Sequence, residues 1–69
     1  MTRARLGNRL KDLRSAQGLT QAELAERVGV SRKTINTVEN GVFTPSATLA
    51  LLIARELGEP VETVFYLEA

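Results

Sequence analysis

The sequence predicts an all-α fold, a compact bundle of five helices, and three observations carry that expectation. Gly18, Gly29, Gly41 and Gly58 each follow a stretch whose apolar residues recur at helical intervals, the place where a left-handed residue ends a helix. Two neighbouring stretches open with matched start signals, Thr20 and Ser31, each a hydroxyl residue ahead of an apolar run. The 69 residues hold no cysteine and no histidine, so neither disulfides nor the common metal sites stand in for an apolar core. At this length residues 1–69 form a single domain, near the lower limit of what one core supports.

Helix 1 is expected from Leu6, Leu10 and Leu13, spaced i, i+4 and i+7 on one stripe that ends near Gln17. Helix 2 starts after Thr20, whose hydroxyl caps while Glu23 reaches back three residues later as a capping box. Leu19 and Leu24 flank that cap as a hydrophobic staple. Helix 3 repeats the device with Ser31 as cap and Val30 with Ile35 as staple. Gly41-Val42-Phe43-Thr44-Pro45 reads as a loop closed by Ser46, the cap of helix 4. Leu49, Leu52, Ile53 and Leu57 form the stripe of helix 4, which stops at Gly58. Pro60 suits the first turn of helix 5, with Val61, Val64 and Phe65 on its buried side. No repeat, linker or low-complexity stretch interrupts the chain.

Two capped helices separated by Gly29-Val30-Ser31 over about residues 20–40 describe a helix-turn-helix. Ala25 stands where a larger side chain would push helix 3 away, and Gly29 supplies the positive φ of the abrupt reversal. Leu24, Val28, Val30, Ile35 and Val38 then point into the core between helices 1 and 4. The run from Leu19-Thr20-Gln21 to Val38-Glu39-Asn40-Gly41, with Pro45-Ser46 after it, resembles the Cro/C1-type (XRE family) helix-turn-helix transcriptional regulators. The pattern of Gln21, Ala25, Gly29, Ile35, Glu39 and Gly41 carries that resemblance, which covers about residues 6–65. It implies a small stand-alone member with a lambda-repressor-like fold that binds operator DNA as a two-fold homodimer.

With Ile35 and Val38 facing the core, steps of about 100° place Lys33, Asn36, Thr37 and Asn40 on the opposite side of helix 3, with Arg32 and Thr34 on its flanks. Arg32 and Lys33 are long donors near the helix start and suit guanine O6 and N7. Thr37 and Asn36 sit one turn further, in reach of a thymine methyl or an adenine. The resemblance implies the same four base-reading positions. Gln21 opens helix 2, where amides and the helix dipole suit a phosphate, and the matching family glutamine binds the DNA backbone. Thr34 joins it as a candidate phosphate contact. Asn40 resembles a family position that meets phosphate, or else serves as a helix cap. Phe43 departs from the basic or polar residue common in this loop and packs either on the sugar-phosphate or on the protein. Arg14 and Glu39 match a family pair that forms a partly buried ion pair between helices 1 and 3.

Charge is uneven along the chain. Residues 1–18 carry five basic side chains, Arg3, Arg5, Arg9, Lys11 and Arg14, against Asp12 alone, while residues 46–69 carry Arg55 against four glutamates. A polyanion at one end is one reading, ordinary solubilising charge the other; Arg3, Arg5 and Arg9 either meet phosphates or stay solvated. In the acidic third, Val64-Phe65-Tyr66-Leu67 is too apolar to stand in water and is the expected dimer interface, within a dimerisation segment of about residues 60–69. Residues 66–68 either pair as a short strand with residues 2–5 (Thr2, Arg3, Ala4, Arg5) or fold back over their own core. A homodimer reads a palindromic operator whose half-sites lie about 34 Å apart.

The expected function is therefore a sequence-specific DNA-binding transcriptional regulator, acting as a repressor on double-stranded DNA. The alternative is an antitoxin or coactivator-like module that uses the fold to hold another protein. An enzyme is not expected: no histidine, no cysteine and no suitably paired carboxylates remain for acid or base work. No cofactor, no metal site and no small-molecule effector is implied. The chain has no apolar run long enough to span a bilayer and no signal peptide, which places it in the cytoplasm.

Overall fold

The computed structural model describes residues 4–68 of the chain. In order, these form β1 (Arg5–Asn8), α1 (Leu10–Ala16), α2 (Gln21–Val28), α3 (Arg32–Glu39), α4 (Ala47–Leu57), α5 (Val61–Val64) and β2 (Phe65–Glu68). The fold is the expected five-helix bundle, with the terminal strand in place as one half of a two-stranded antiparallel ribbon.

Local chemistry sets most of the helix boundaries. Thr20, Ser31 and Ser46 each accept a hydrogen bond from the backbone N–H three residues on, opening α2, α3 and α4. Each supplies one of the acceptors that the first turn of a helix lacks. The far ends of α1 to α4 close in one manner, with Gly18, Gly29, Gly41 and Gly58 all at positive φ. In α2, for example, the Val30 N–H donates to Ala25 O at 3.0 Å and the Gly29 N–H to Glu26 O at 3.3 Å. This is a Schellman closure, and Gly29 at φ 78° takes the left-handed conformation that a Cβ disfavours.

The core gathers Leu10, Leu24, Ile35, Val38, Ile53 and Val64, all essentially without exposure. Ala25 is buried where α2 and α3 meet, while Val30 is only partly buried against the cluster. α2 lies against both α3 and α4, and α5 bridges α4 to β2.

Four expectations change here. Leu6 belongs to β1, not to helix 1, which begins at Leu10. The Asn8 side chain takes the Leu10 N–H at 3.0 Å and so fixes the start of α1. The ribbon pairs Arg5 with Glu68, Leu6 with Leu67, Gly7 with Tyr66 and Asn8 with Phe65, a register displaced toward the core from the expected pairing with residues 2–5. Of those partners, Thr2 and Arg3 lie outside the described residues. Pro60 stands just ahead of α5 in extended geometry rather than inside its first turn, and Phe65 opens β2 instead of ending the helix.

Gly7 is buried beneath the Tyr66 side chain, and a Cβ there would run into the ring and the Glu68 carboxyl carbon. The Arg9 guanidinium stacks over the same ring, 5.1 Å from its centroid. Bare backbone on one strand therefore lets an aromatic ring lie flat across it, an arrangement that pins register. Among the described residues, no helix is long and apolar enough to cross a membrane.

Candidate nucleic-acid interface

The site is built from two short helices and the turn between them. At the start of α2 the Glu23 N–H donates to Thr20 Oγ1 at 3.0 Å and the Thr20 N–H donates to Glu23 Oε1 at 2.9 Å, completing the capping box. That backbone N–H, seconded by the Thr20 hydroxyl, holds the Glu23 carboxyl below the usual glutamate range. α3 opens with the Thr34 N–H donating to Ser31 Oγ at 3.2 Å. The reciprocal arm of a box is missing because Thr34, not a glutamate, occupies the third position; its hydroxyl meets that of Ser31 at 3.0 Å instead.

Burial then sorts α3 into two faces. Ile35 and Val38 are buried, whereas Arg32, Lys33, Asn36 and Asn40 are exposed and Thr34 and Thr37 half-buried. The exposed set carries two cations and two amides with no acid. Thr37 Oγ1 donates to Thr34 O at 2.9 Å, which turns its hydroxyl hydrogen inward and leaves acceptor and methyl for a ligand. Asn40 Nδ2 donates to Asn36 Oδ1 at 3.2 Å, so the two amides hold each other one turn apart. Arg32 and Gln21 line one surface depression of about 430 Å³ together with Thr20 and Ala22. The candidate base reader and the candidate phosphate binder thus border a common hollow at the start of α2.

Glu39 is the one acid on α3, and the fold removes it from the surface. Arg14 Nε lies 2.7 Å from Glu39 Oε2, with the two side chains only 11% and 4% exposed. Arg14 Nη2 donates to Glu39 Oε1 at 3.2 Å and Nη1 to Leu19 O at 2.7 Å. Gln21 Nε2 adds a further bond to Glu39 Oε1 at 3.1 Å. A buried charge needs this level of pairing to persist, and no buried side-chain nitrogen or oxygen among the described residues is left without a partner. One consequence is electrostatic: the outward face of α3 presents its cations without a competing carboxylate. Gln21 is held in this network by one amide hydrogen, leaving the other for an outside acceptor.

The expected dimer segment is placed differently. Val64 and Phe65 are 0% and 7% exposed within this chain's own core. The cause is the ribbon, which folds the tail back over the bundle. Tyr66 is half-buried over Gly7, and Leu67, 76% exposed, is the member of the four that stands outside. Sequence reasoning missed Asn8. Nδ2 of its side chain donates to Val38 O at 3.1 Å and Glu39 O at 3.4 Å, at the far end of α3. An asparagine just ahead of an apolar run signals a helix start, but not which distant carbonyls its other end will meet.

Comparison with known proteins agrees with this geometry. A helix-turn-helix family model matches residues 10–64. An HTH-type transcriptional regulator of Methanothermobacter thermautotrophicus is 52% identical over 60 residues, 86% of this chain and 87% of that protein. YgzD of Bacillus subtilis, also named an HTH-type transcriptional regulator, is 43% identical over 61 residues, 88% of this chain and 92% of its own. The restriction-modification controller protein C.AhdI from Aeromonas hydrophila superposes with a TM-score of 0.76 at 34% identity, covering 80% of this chain and 83% of C.AhdI. The clp gene regulator ClgR from Corynebacterium glutamicum gives 0.73 at 33% identity over 75% of this chain, which spans 55% of ClgR.

Proposed function

This chain belongs to the helix-turn-helix family, as a Cro/C1-type (XRE) regulator, and from that membership we propose a sequence-specific DNA-binding repressor that acts as a homodimer on a palindromic operator. The observation that carries the reading is the division of α3: Ile35 and Val38 inward, Glu39 neutralised by Arg14, and Arg32, Lys33 and Asn36 outward. Laid in the major groove, α3 offers Arg32 and Lys33 to guanine edges and Asn36 and Thr37 to adenine or a thymine methyl. Gln21, Thr34 and Asn40 flank that face as phosphate contacts, which position without selecting sequence. The protein needs no catalytic step or cofactor for this work, which belongs in the cytoplasm where its DNA lies.

One α3 reads only a few base pairs, too few to single out a site among a genome of competitors. Two-fold pairing doubles the reading, and exposed Leu67 on the ribbon's β2 is the apolar contact proposed for it. Selection of bound sequences from a random duplex pool tests the reading. A palindrome with half-site centres about 34 Å apart is expected, and a pool without enrichment would overturn it. Sedimentation should show a dimer at tens of micromolar that Leu67→Glu converts to monomer.

A further inference from the structure

We infer that Asn8 is a positioning residue for DNA reading, fixing the pose of α3 from the terminal ribbon; this rests on the DNA-binding function proposed above. The last carbonyls of a helix lack internal partners and must find donors elsewhere. In α3 the loop supplies some of them: the Val42 N–H donates to Thr37 O at 2.9 Å and the Gly41 N–H to Val38 O at 3.1 Å. Asn8 Nδ2 reaches across about thirty residues of chain to bond Val38 O and Glu39 O, at 3.1 and 3.4 Å. The same side chain's Oδ1 receives the Leu10 N–H, and its backbone sits in β1 opposite Phe65. A single amide thereby joins β1, α1 and α3.

Apolar anchors are poor at fixing a helix's tilt, because burial is non-directional. Ile35 and Val38 set how deep α3 sits, while hydrogen bonds at its ends set the angle. An eight-residue helix is about 12 Å long, so a 10° swing about its C-terminal end moves Arg32 and Lys33 by about 2 Å. That exceeds the tolerance of about 0.5 Å within which a binding constellation works. β1 is paired to the strand that carries Leu67, so Asn8 also transmits the ribbon's position, and any partner seated on it, to the reading helix.

Asn8→Asp separates the two ends of this amide. The carboxylate keeps an acceptor for the Leu10 N–H, in the favourable place for an anion at a helix start, but has no donor for Val38 O and Glu39 O. Gln17→Ala is the control, since it breaks a different long-range tie, Gln17 Nε2 to Leu57 O at 2.6 Å, which involves no residue of α3. Amide hydrogen exchange and duplex binding are measured on the full chain, the latter as the preference for the selected duplex over a random one. A ratio is read because an added charge weakens all duplexes alike. In Asn8→Asp we expect the Asn40, Gly41 and Val42 amides to exchange about tenfold faster or more, those of α2 and α4 to stay unchanged, and the preference to fall about tenfold. Gln17→Ala should keep the preference even at a larger loss of melting temperature. Wild-type exchange at the end of α3, an intact preference, or an equal loss in Gln17→Ala would each overturn the inference. If wild-type protein selects no sequence, the DNA reading fails by itself, and the exchange comparison, made without DNA, still decides whether Asn8 holds α3.

Discussion

From Thr20 to Val30 each helix end finds its partner three to five residues away, as with Thr20 and Glu23 or Ala25 and Val30. The ribbon instead joins Arg5 to Glu68 and Asn8 to Phe65, across nearly the whole chain. Closing so long a loop costs entropy that a two-stranded ribbon alone does not repay. The ribbon persists because Gly7, Tyr66 and Arg9 stack and because Val64 and Phe65 are part of the main core. The helix-turn-helix unit, although locally specified, has the C-terminal end of α3 fastened by remote polar ties, Arg14 on the Glu39 side chain and Asn8 on its carbonyl, with a surface Arg27–Glu56 pair joining α2 to α4. Bonds within a turn close the helix ends, and bonds across the chain tie the end of α3 to β1 and α1.

The largest effect should come from cutting the buried tie. Glu39→Ala strands the Arg14 guanidinium, which costs about 3–5 kcal/mol and lowers the melting temperature by more than about 10 °C. An unchanged melt would contradict the pairing. Next comes the ribbon. Gly7→Ala drives a Cβ into Tyr66 and should cost about 1–3 kcal/mol, with the far-ultraviolet signal of the helices retained at low temperature. Loss of that helical signal would show that the helix-turn-helix unit depends on the ribbon for its formation, not only for its aim. The smallest effect is the surface capping box. Glu23 titrates below its usual range, so its stabilisation is complete above the ordinary glutamate pKa and is lost as pH falls through the lowered value. Melting temperature should decline on acidification over that interval. Glu23→Gln should show a shallower decline, and an identical one would remove the box from the account.

Legibility in the sequence followed the same division. The glycine ends of the helices and the caps Thr20, Ser31 and Ser46 were readable because each depends on neighbours within a turn. The outward face of α3 was readable because helical periodicity alone sorts Lys33 and Asn36 from Ile35 and Val38. Leu6 was misread since its spacing from Leu10 and Leu13 fits a helix, and nothing nearby announces that Gly7 will lie under Tyr66. Val64 and Phe65 fit two readings, the buried side of helix 5 and a dimer segment, because the strand that folds over them comes from the other terminus. Asn8 remained hidden because the carbonyls it bonds are backbone atoms, which carry no residue signature.

The central claim is that α3 reads bases while the start of α2 grips the backbone, and paired binding titrations test it most directly. Lys33→Ala and Gln21→Ala are each titrated against the selected duplex and a scrambled one of equal length. Lys33→Ala should lose about 1–3 kcal/mol of discrimination between them, while Gln21→Ala should weaken both nearly equally and keep the preference. Two substitutions that shift both duplexes in the same proportion would contradict this division of labour between the helices.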